Sequence, residues 1–319
     1  MKFTEDRLKS FAAPLSDTED QKCKNAIGMV RDALKNIGFS DEGKNIEKMY
    51  LDTYSYSIEM RNAARNRKVK LFVQGSYANN TNVRTESDVD IAVVLESTFR
   101  TKYRPTTSDS TYGFSSSNDN VQTFKDEVEI ALREKFGSDV ERKNKSIKIH
   151  GNTYRVDADG VPCMRHRDYS NDYSSNPDNY IGGILIRSDE GQTIINYPEQ
   201  HIRNGREKNN QTRTYYKKMV RIVKKMRYIM KDEGYESADI ISSFGLESLL
   251  WNLPNEIFTK YSTYRYAFGE ITNYLHRNVG MIPDYKEANG IKPLCSSSTE
   301  IESYKRFIND LYYFYEYDI

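Results

Sequence analysis

The heptapeptide Val89-Asp90-Ile91-Ala92-Val93-Val94-Leu95 constrains this chain more than any other stretch. Its β-branched, apolar content suits a strand buried in a sheet. Yet it carries a carboxylate near its start, and Asp88 stands immediately before it. On a strand, Asp88 and Asp90 point to one face. Two carboxylates side by side repel each other unless a positive charge lies between them. Mg²⁺ resolves the repulsion, because it takes hard oxygen ligands and shares them with phosphates. The apolar run 91–95 then holds the pair rigid from behind.

Upstream, Lys70-Leu71-Phe72-Val73-Gln74 reads as a short strand running into Gly75-Ser76. Glycine at such a turn lets backbone amides approach a phosphate, and the serine hydroxyl adds a donor. Alone, a Gly-Ser pair is an ordinary turn and an Asp-x-Asp is a solvated strand end. Strand, Gly-Ser turn, polar loop and carboxylate-bearing strand together form an uncommon arrangement. A two-metal site needs a further carboxylate to activate an attacking hydroxyl. Asp157 and Asp159, in the strand-like Tyr154-Arg155-Val156-Asp157-Ala158-Asp159, are the candidates, and spacing does not choose between them.

Around this core the pattern predicts helices at 17–38, capped by Ser16 or Thr18, at 44–66 and at 121–137. It predicts a polar, mobile loop at 101–117, strands at 146–150 and 153–159, and a hairpin of 180–186 with 192–197 around Asp189-Glu190-Gly191. From about residue 209 the chain reads as helices at 212–232, 240–252, 255–278 and 298–317. The expected fold class is therefore α+β: a mixed sheet flanked by helices over 1–200, and a helical lobe over 201–319. The two are expected as parts of one compact unit, with a long N-terminal helix bridging the lobes.

Lys+Arg (47) nearly balances Asp+Glu (46), so bulk charge gives no case for wholesale nucleic-acid binding. No run reaches the ~18 apolar residues of a membrane span, which points to a soluble, cytoplasmic protein without a membrane partner. Cys23, Cys163 and Cys295 form no CxxC pair, and the four histidines complete no zinc pattern. Lys217, Arg221 and Lys224 recur at i, i+4 and i+7 and share one helix face. That face is either a solvated surface or a cradle for a nucleoside triphosphate.

Gln74-Gly75-Ser76-Tyr77, Thr81-Asn82 and Ser87-Asp88-Val89-Asp90 resemble the signature of the polymerase-β-like nucleotidyltransferases. More specifically, they resemble the bacterial CD-NTases, relatives of cyclic GMP-AMP synthase and oligoadenylate synthase. Val156-Asp157-Ala158-Asp159-Gly160-Val161-Pro162-Cys163 is similar to the segment that carries the family's third catalytic aspartate. Aligned on Pro162, that residue is Asp159, with Gly160 where a valine is usual. Tyr197-Pro198-Glu199, the segment 207–212, the helix 216–224 and Ser243-Phe244-x-Leu246-Glu247 also look like family segments.

The resemblance implies a bilobed nucleotidyltransferase core and a catalytic and metal trio of Asp88, Asp90 and Asp159 around two Mg²⁺ ions, for which Mn²⁺ can substitute. It implies nucleotide contacts by Gln74, Gly75, Ser76, Lys217, Lys224, Ser243 and Phe244. The reaction implied is attack of a ribose hydroxyl on the α-phosphorus of a nucleoside triphosphate, with ATP, GTP or pyrimidine triphosphates as substrates and pyrophosphate leaving. Repetition in one pocket closes a cyclic di- or trinucleotide that signals to an effector in antiphage defence of the CBASS type. A monomer without a zinc-dependent DNA sensor is expected, with room for a regulatory protein partner. Two other readings share much of this pattern: a transferase making linear products or modifying RNA or protein, and a catalytically silent nucleotide-binding scaffold.

Overall fold

The chain begins with a two-turn helix, α1 (Glu5–Ala12), capped by the Thr4 hydroxyl. In α2 (Asp17–Lys35) Ser16 supplies the cap, and Glu19 closes a reciprocal capping box with it. There follow β1 (Glu47–Lys48), β2 (Tyr56–Asn62), β3 (Arg67–Gln74), the single turn α3 (Gly75–Ala78), β4 (Val89–Tyr103), α4 (Val121–Phe136), β5 (Val140–Arg142) and β6 (Ile147–Ile149). The α/β part closes with β7 (Ala158–Tyr169) and the hairpin of β8 (Ile181–Arg187) and β9 (Thr193–Asn196). The remainder is helical: α5 (Pro198–Gln211), α6 (Tyr215–Asp232), α7 (Glu236–Ile240), α8 (Ser243–Trp251), α9 (Asn255–Thr259), α10 (Tyr264–Arg277) and α11 (Ser298–Tyr315).

This computed structural model describes residues 2–14, 16–83 and 88–315. Ser87, which belongs to the carboxylate motif, and residues 316–317 of the last expected helix lie outside the described residues. The chain forms two units: Ser16–Ala78 with Asp88–Glu199, and Met1–Leu15 with Asn79–Ser87 and Gln200–Ile319.

In the first unit the sheet runs β1-β2-β3-β4-β7-β6-β5, with β8 on the far half of β7 and β9 outside it. Only β4 and β7 pair in parallel; the other pairings are antiparallel. Helices α2 and α4 lie on the sheet and bury Cys23, Ala26, Ile27, Val30, Ala33 and Leu34 from one, and Val121, Phe124, Val128, Ala131 and Leu132 from the other. Strand residues alternate faces. Across the core, Phe72, Ala92, Val94, Val161, Cys163, Ile184 and Ile186 form a separate apolar cluster. Ala92 and Val161 share parity with Asp90 and Asp159, so the carboxylates top this second cluster.

Two expectations fail here for the same reason. The helix expected at 44–66 is instead a bridge strand and β2, whose buried positions Tyr56, Ile58, Met60 and Asn62 alternate with period two. Pairing with β3 through a turn at 63–66 fixes that period. The polar loop expected at 101–117 is strand up to Tyr103 and then a 3₁₀ turn that buries Tyr112. The Tyr112 ring lies 4.3 Å from that of Tyr169, its hydroxyl donates to Asp172, and Phe114 stacks beside it.

In the helical unit α6 is the axis. Its buried Met219, Val220, Ile222, Val223, Met226 and Met230 share a core with Leu8 and Ala12 of α1, with α8 and α10, and with Phe307, Ile308 and Leu311 of α11. Glu5 of α1 accepts the Tyr264 and Arg265 backbone amides, capping α10 where Thr263 makes no side-chain cap. The expected helix at 255–278 is broken into α9 and α10, and α1 and most of α5 extend the helical content beyond the expectation. Among the described residues no helix is long and apolar enough to cross a membrane. The three cysteines carry free thiols; Cys23 and Cys163 are buried, and burial raises both.

Candidate active site

One transverse row of the sheet gathers the chemistry. Gln74 of β3 sits opposite Asp90 of β4, Asp90 opposite Asp159 of β7, and Asp159 opposite Lys148 of β6. Residues in register share a face, so the four side chains stand side by side at one end of the sheet. Asp88 precedes β4 by one residue. The ladder passes regularly through Gly160, which pairs with both Ile91 and Ile147, so glycine there does not disturb the strand.

Asp157 and Asp159, which spacing alone leaves equivalent, have different surroundings in the structure. The strand expected from residue 153 begins at Ala158, so Asp157 lies before it. Its carboxylate accepts the Gly151 amide and pairs with Lys148 Nζ at 2.8 Å. Lys148 and that amide hold it below the usual carboxylate range. Asp159 instead faces Asp90 and accepts from Ser146 Oγ at 3.2 Å.

Gly75 explains how closely the turn approaches this row. Its φ of +69° is left-handed backbone, and a Cβ added there would lie 2.7 Å from Asp90 Oδ2. Glycine is therefore required both by conformation and by the neighbouring carboxylate. Ser76 follows it in the single turn α3.

Electrostatics shows what the row lacks. Burial, with the charges of Asp159 and Asp88, pushes the Asp90 carboxyl up to about 7. Burial and the Asp88 charge raise Asp159 as well, against the Ser146 hydrogen bond and Lys148. Lys148, which bonds Asp157 and Asp88 Oδ2 at 2.9 Å, is held well above the usual lysine value. Carboxylates that raise one another in this way are hard-oxygen donors short of positive charge, and a divalent cation suits that deficit. Among the described residues no three acidic, His or Cys side chains already close around one metal position, and the Asp88 carboxylate is taken up by Lys148.

The helical unit corrects the reading of the basic stripe. Lys217, Arg221 and Lys224 are not a solvated face: each is at most 5% exposed. Arg221 donates through Nε and Nη2 to the Ala12 carbonyl and through Nη1 to the Asn80 carbonyl. Lys224 donates to the Thr81 carbonyl at 3.0 Å and pairs with Glu247 at 3.2 Å. Glu247 also accepts from Thr81 Oγ1 at 2.7 Å and meets His201 Nε2 at 2.8 Å. Both ends of Lys224–Glu247 are almost fully buried. The ammonium expected to hold phosphate is thus an interior cation that fixes segment 79–82 to α6 and α8. Charge type alone suggested exposure; the compensating carboxylate lies 23 residues away on another helix.

Of the other expected nucleotide contacts in this unit, Ser243 accepts from Arg227 Nη1 at 2.9 Å. Phe244 is not a core residue: it is 38% exposed, edge-on to His201, and lines a cavity of about 210 Å³ with Ile240, Gly245 and Tyr304. Sequence reasoning gave Lys148 and His201 no role. For Lys148 the available signal was the alternation of 146–150, which puts it on the polar face of a strand beside Asp159.

Comparison with known proteins gives the family. Residues 58–153 match the nucleotidyltransferase domain, and residues 203–316 match the cGAS/DncV-like nucleotidyltransferase C-terminal helical domain. Nucleotidyltransferases generally use divalent metal ions. The chain is 48% identical to the cyclic GMP-AMP synthase CdnE03 of Staphylococcus schleiferi over 99% of its length and 98% of that protein's. It is 38% identical to the cyclic dipyrimidine nucleotide synthase CdnE of Cecembia lonarensis over 92% of its length and 90% of that protein's. The solved Elizabethkingia meningoseptica CdnE cyclic dinucleotide synthase with GTP and Apcpp superposes with a TM-score of 0.74 at 32% identity, covering 99% of this chain and 100% of that one. With relatives this similar along nearly its whole length, the chain belongs to the CD-NTases, the cGAS/DncV-like nucleotidyltransferases.

Proposed function

We propose that the chain joins ATP and GTP into a cyclic dinucleotide with release of pyrophosphate, using Mg²⁺ held by Asp88, Asp90 and Asp159. The register of Asp90 against Asp159, two residues after Asp88 and against the Gly75 turn, is the observation that carries this reading. The purine assignment is supported by the 48% identical relative, a cyclic GMP-AMP synthase. When bound, the metal supplies Lewis acidity to the phosphates and lowers the pKa of the attacking ribose hydroxyl.

The residues of the chain bind and orient. Asp90, half-buried and flanked by Asp88 and Asp159, adds a carboxylate that a cation must neutralise. Gly75 brings backbone close to that row with no side chain between, and the Ser76 hydroxyl is the phosphate donor beside it. In the helical unit, Phe244 offers an exposed ring face for a nucleobase, and Lys217 and Ser243 are the candidate phosphate contacts. The expected phosphate role of Lys224 is left out of this reading, since its ammonium meets Thr81 and Glu247. Transfer is then mainly positioning of a hydroxyl in line with the leaving pyrophosphate. Family membership supports the wider reading: a cytoplasmic monomer whose product activates an effector in CBASS-type antiphage defence.

Omitting each of the four nucleoside triphosphates in turn, with Mg²⁺ present, tests the substrate assignment. Pyrophosphate release should collapse without ATP or without GTP and persist without CTP and UTP. Dependence on a pyrimidine triphosphate contradicts the assignment. Turnover that requires an added RNA primer favours a transferase of linear products.

A further inference from the structure

The metal carboxylates are accompanied by one ammonium that the reaction does not use. Lys148 stands in register with Asp159 on β6, and its Nζ bridges Asp88 Oδ2 at 2.9 Å and Asp157 Oδ2 at 2.8 Å. The side chain is 19% exposed, so the bridge is partly withdrawn from water. Asp157 lies outside the strand, turned to the Gly151 amide and to this ammonium. One lysine thus shares two carboxylates, of which one is an expected metal ligand and the other is not.

We propose that Lys148 is a built-in counter-cation that competes with metal for Asp88, and that Asp157 is the residue that keeps the ammonium in place when Asp88 is given up to the metal. The inference rests on reading Asp88, Asp90 and Asp159 as the metal carboxylates. A cation that takes Asp88 must break the Lys148–Asp88 contact and must also enter beside a fixed positive charge. Even when screened as in water, with the two charges about 6 Å apart, that repulsion between an ammonium and a divalent cation is worth about tenfold in affinity. Because Asp157 stays bound to the ammonium, the exchange leaves no buried charge unpaired. Lys148 is a positioning residue: it acts on Asp88, not on substrate.

The test is a Mn²⁺ titration of the full chain without nucleotide, followed by the electron paramagnetic resonance signal of free Mn²⁺, so that no turnover is needed. Lys148→Met should bind Mn²⁺ about tenfold more tightly than wild type, Lys148→Gln should do likewise, and Lys148→Arg should stay near wild type. Asp157→Asn should weaken binding, and most of that loss should vanish in the Lys148→Met background, the coupling expected of a residue that acts through Lys148. Unchanged or weaker binding in both Lys148→Met and Lys148→Gln, with melting temperatures near wild type, overturns the inference. Asp90→Asn separates the two claims. If it leaves wild-type affinity intact, the metal-site reading fails and this inference with it. If it abolishes binding while the Lys148 variants change nothing, only the inference fails.

Discussion

Replacing Asp88 and Asp90 together by asparagine should reduce pyrophosphate release from ATP and GTP by about 10³-fold or more. The loss should exceed that of a single oriented donor, which costs about 10²–10³, because the double change removes two of the three carboxylates proposed to hold the metal. Steady-state rates in saturating Mg²⁺ check it. The same change should not unfold the protein. Asp90 is half-buried beside Asp159 and Asp88, and desolvation with their like charge pushes its carboxyl up to about 7. Its folded pKa lies above the unfolded value of about 3.9, so in metal-free protein this residue costs stability increasingly as pH rises from about 4 to about 7. The metal-free Asp90→Asn variant should therefore melt no lower than wild type at neutral pH. A large fall in melting temperature together with the loss of activity would make the pair structural rather than catalytic.

The second large effect lies in the helical unit. Glu247→Ala should destabilise the protein by about 3–5 kcal/mol, the cost of removing one partner from a buried ion pair. Lys224 would be left charged in the interior, and the Thr81 hydroxyl and His201 would lose their acceptor. Burial pushes the Glu247 carboxyl up, but Lys224, His201 and Thr81 outweigh it and hold it well below the ordinary range. A depressed folded pKa contributes stability that is complete above the unfolded value of about 4.3 and is lost as pH falls below it. The stability gap between wild type and Glu247→Gln in urea melts should therefore narrow steadily as pH falls from 5 to 3. Parallel curves across that range would show that the Glu247 charge contributes nothing.

Local patterns account for the parts of the fold that sequence foretells. Ser16 and Glu19 are three residues apart and cap α2 reciprocally. The apolar spacing of 121–132 suffices for α4, and the turn Asp189-Glu190-Gly191 suffices for β8–β9. The Gly75 turn and the Asp88–Asp90 pair were legible because their chemistry is written in adjacent residues. The failures are all non-local. Residues 56–62 become strand only because 67–72 pairs with them. Tyr112 is buried by Tyr169, which comes from another strand. Segment 79–82 leaves the sheet unit because Thr81 is held by Glu247, 166 residues away. Spacing alone leaves Asp157 and Asp159 equal; the resemblance picks Asp159, and the β4–β7 register puts it opposite Asp90, while the Lys148 contacts to Asp88 and Asp157 are visible only in the folded chain.

The proposed work of this row of carboxylates is to build a closed nucleotide. Labelled ATP and GTP, incubated with the full chain and Mg²⁺ or Mn²⁺, then treated with phosphatase and analysed by mass spectrometry, test it directly. A phosphatase-resistant product with the mass of a cyclic dinucleotide is expected, absent from the Asp88→Asn/Asp90→Asn variant. Products that are wholly linear and phosphatase-sensitive, or the same product from the double variant, would contradict it.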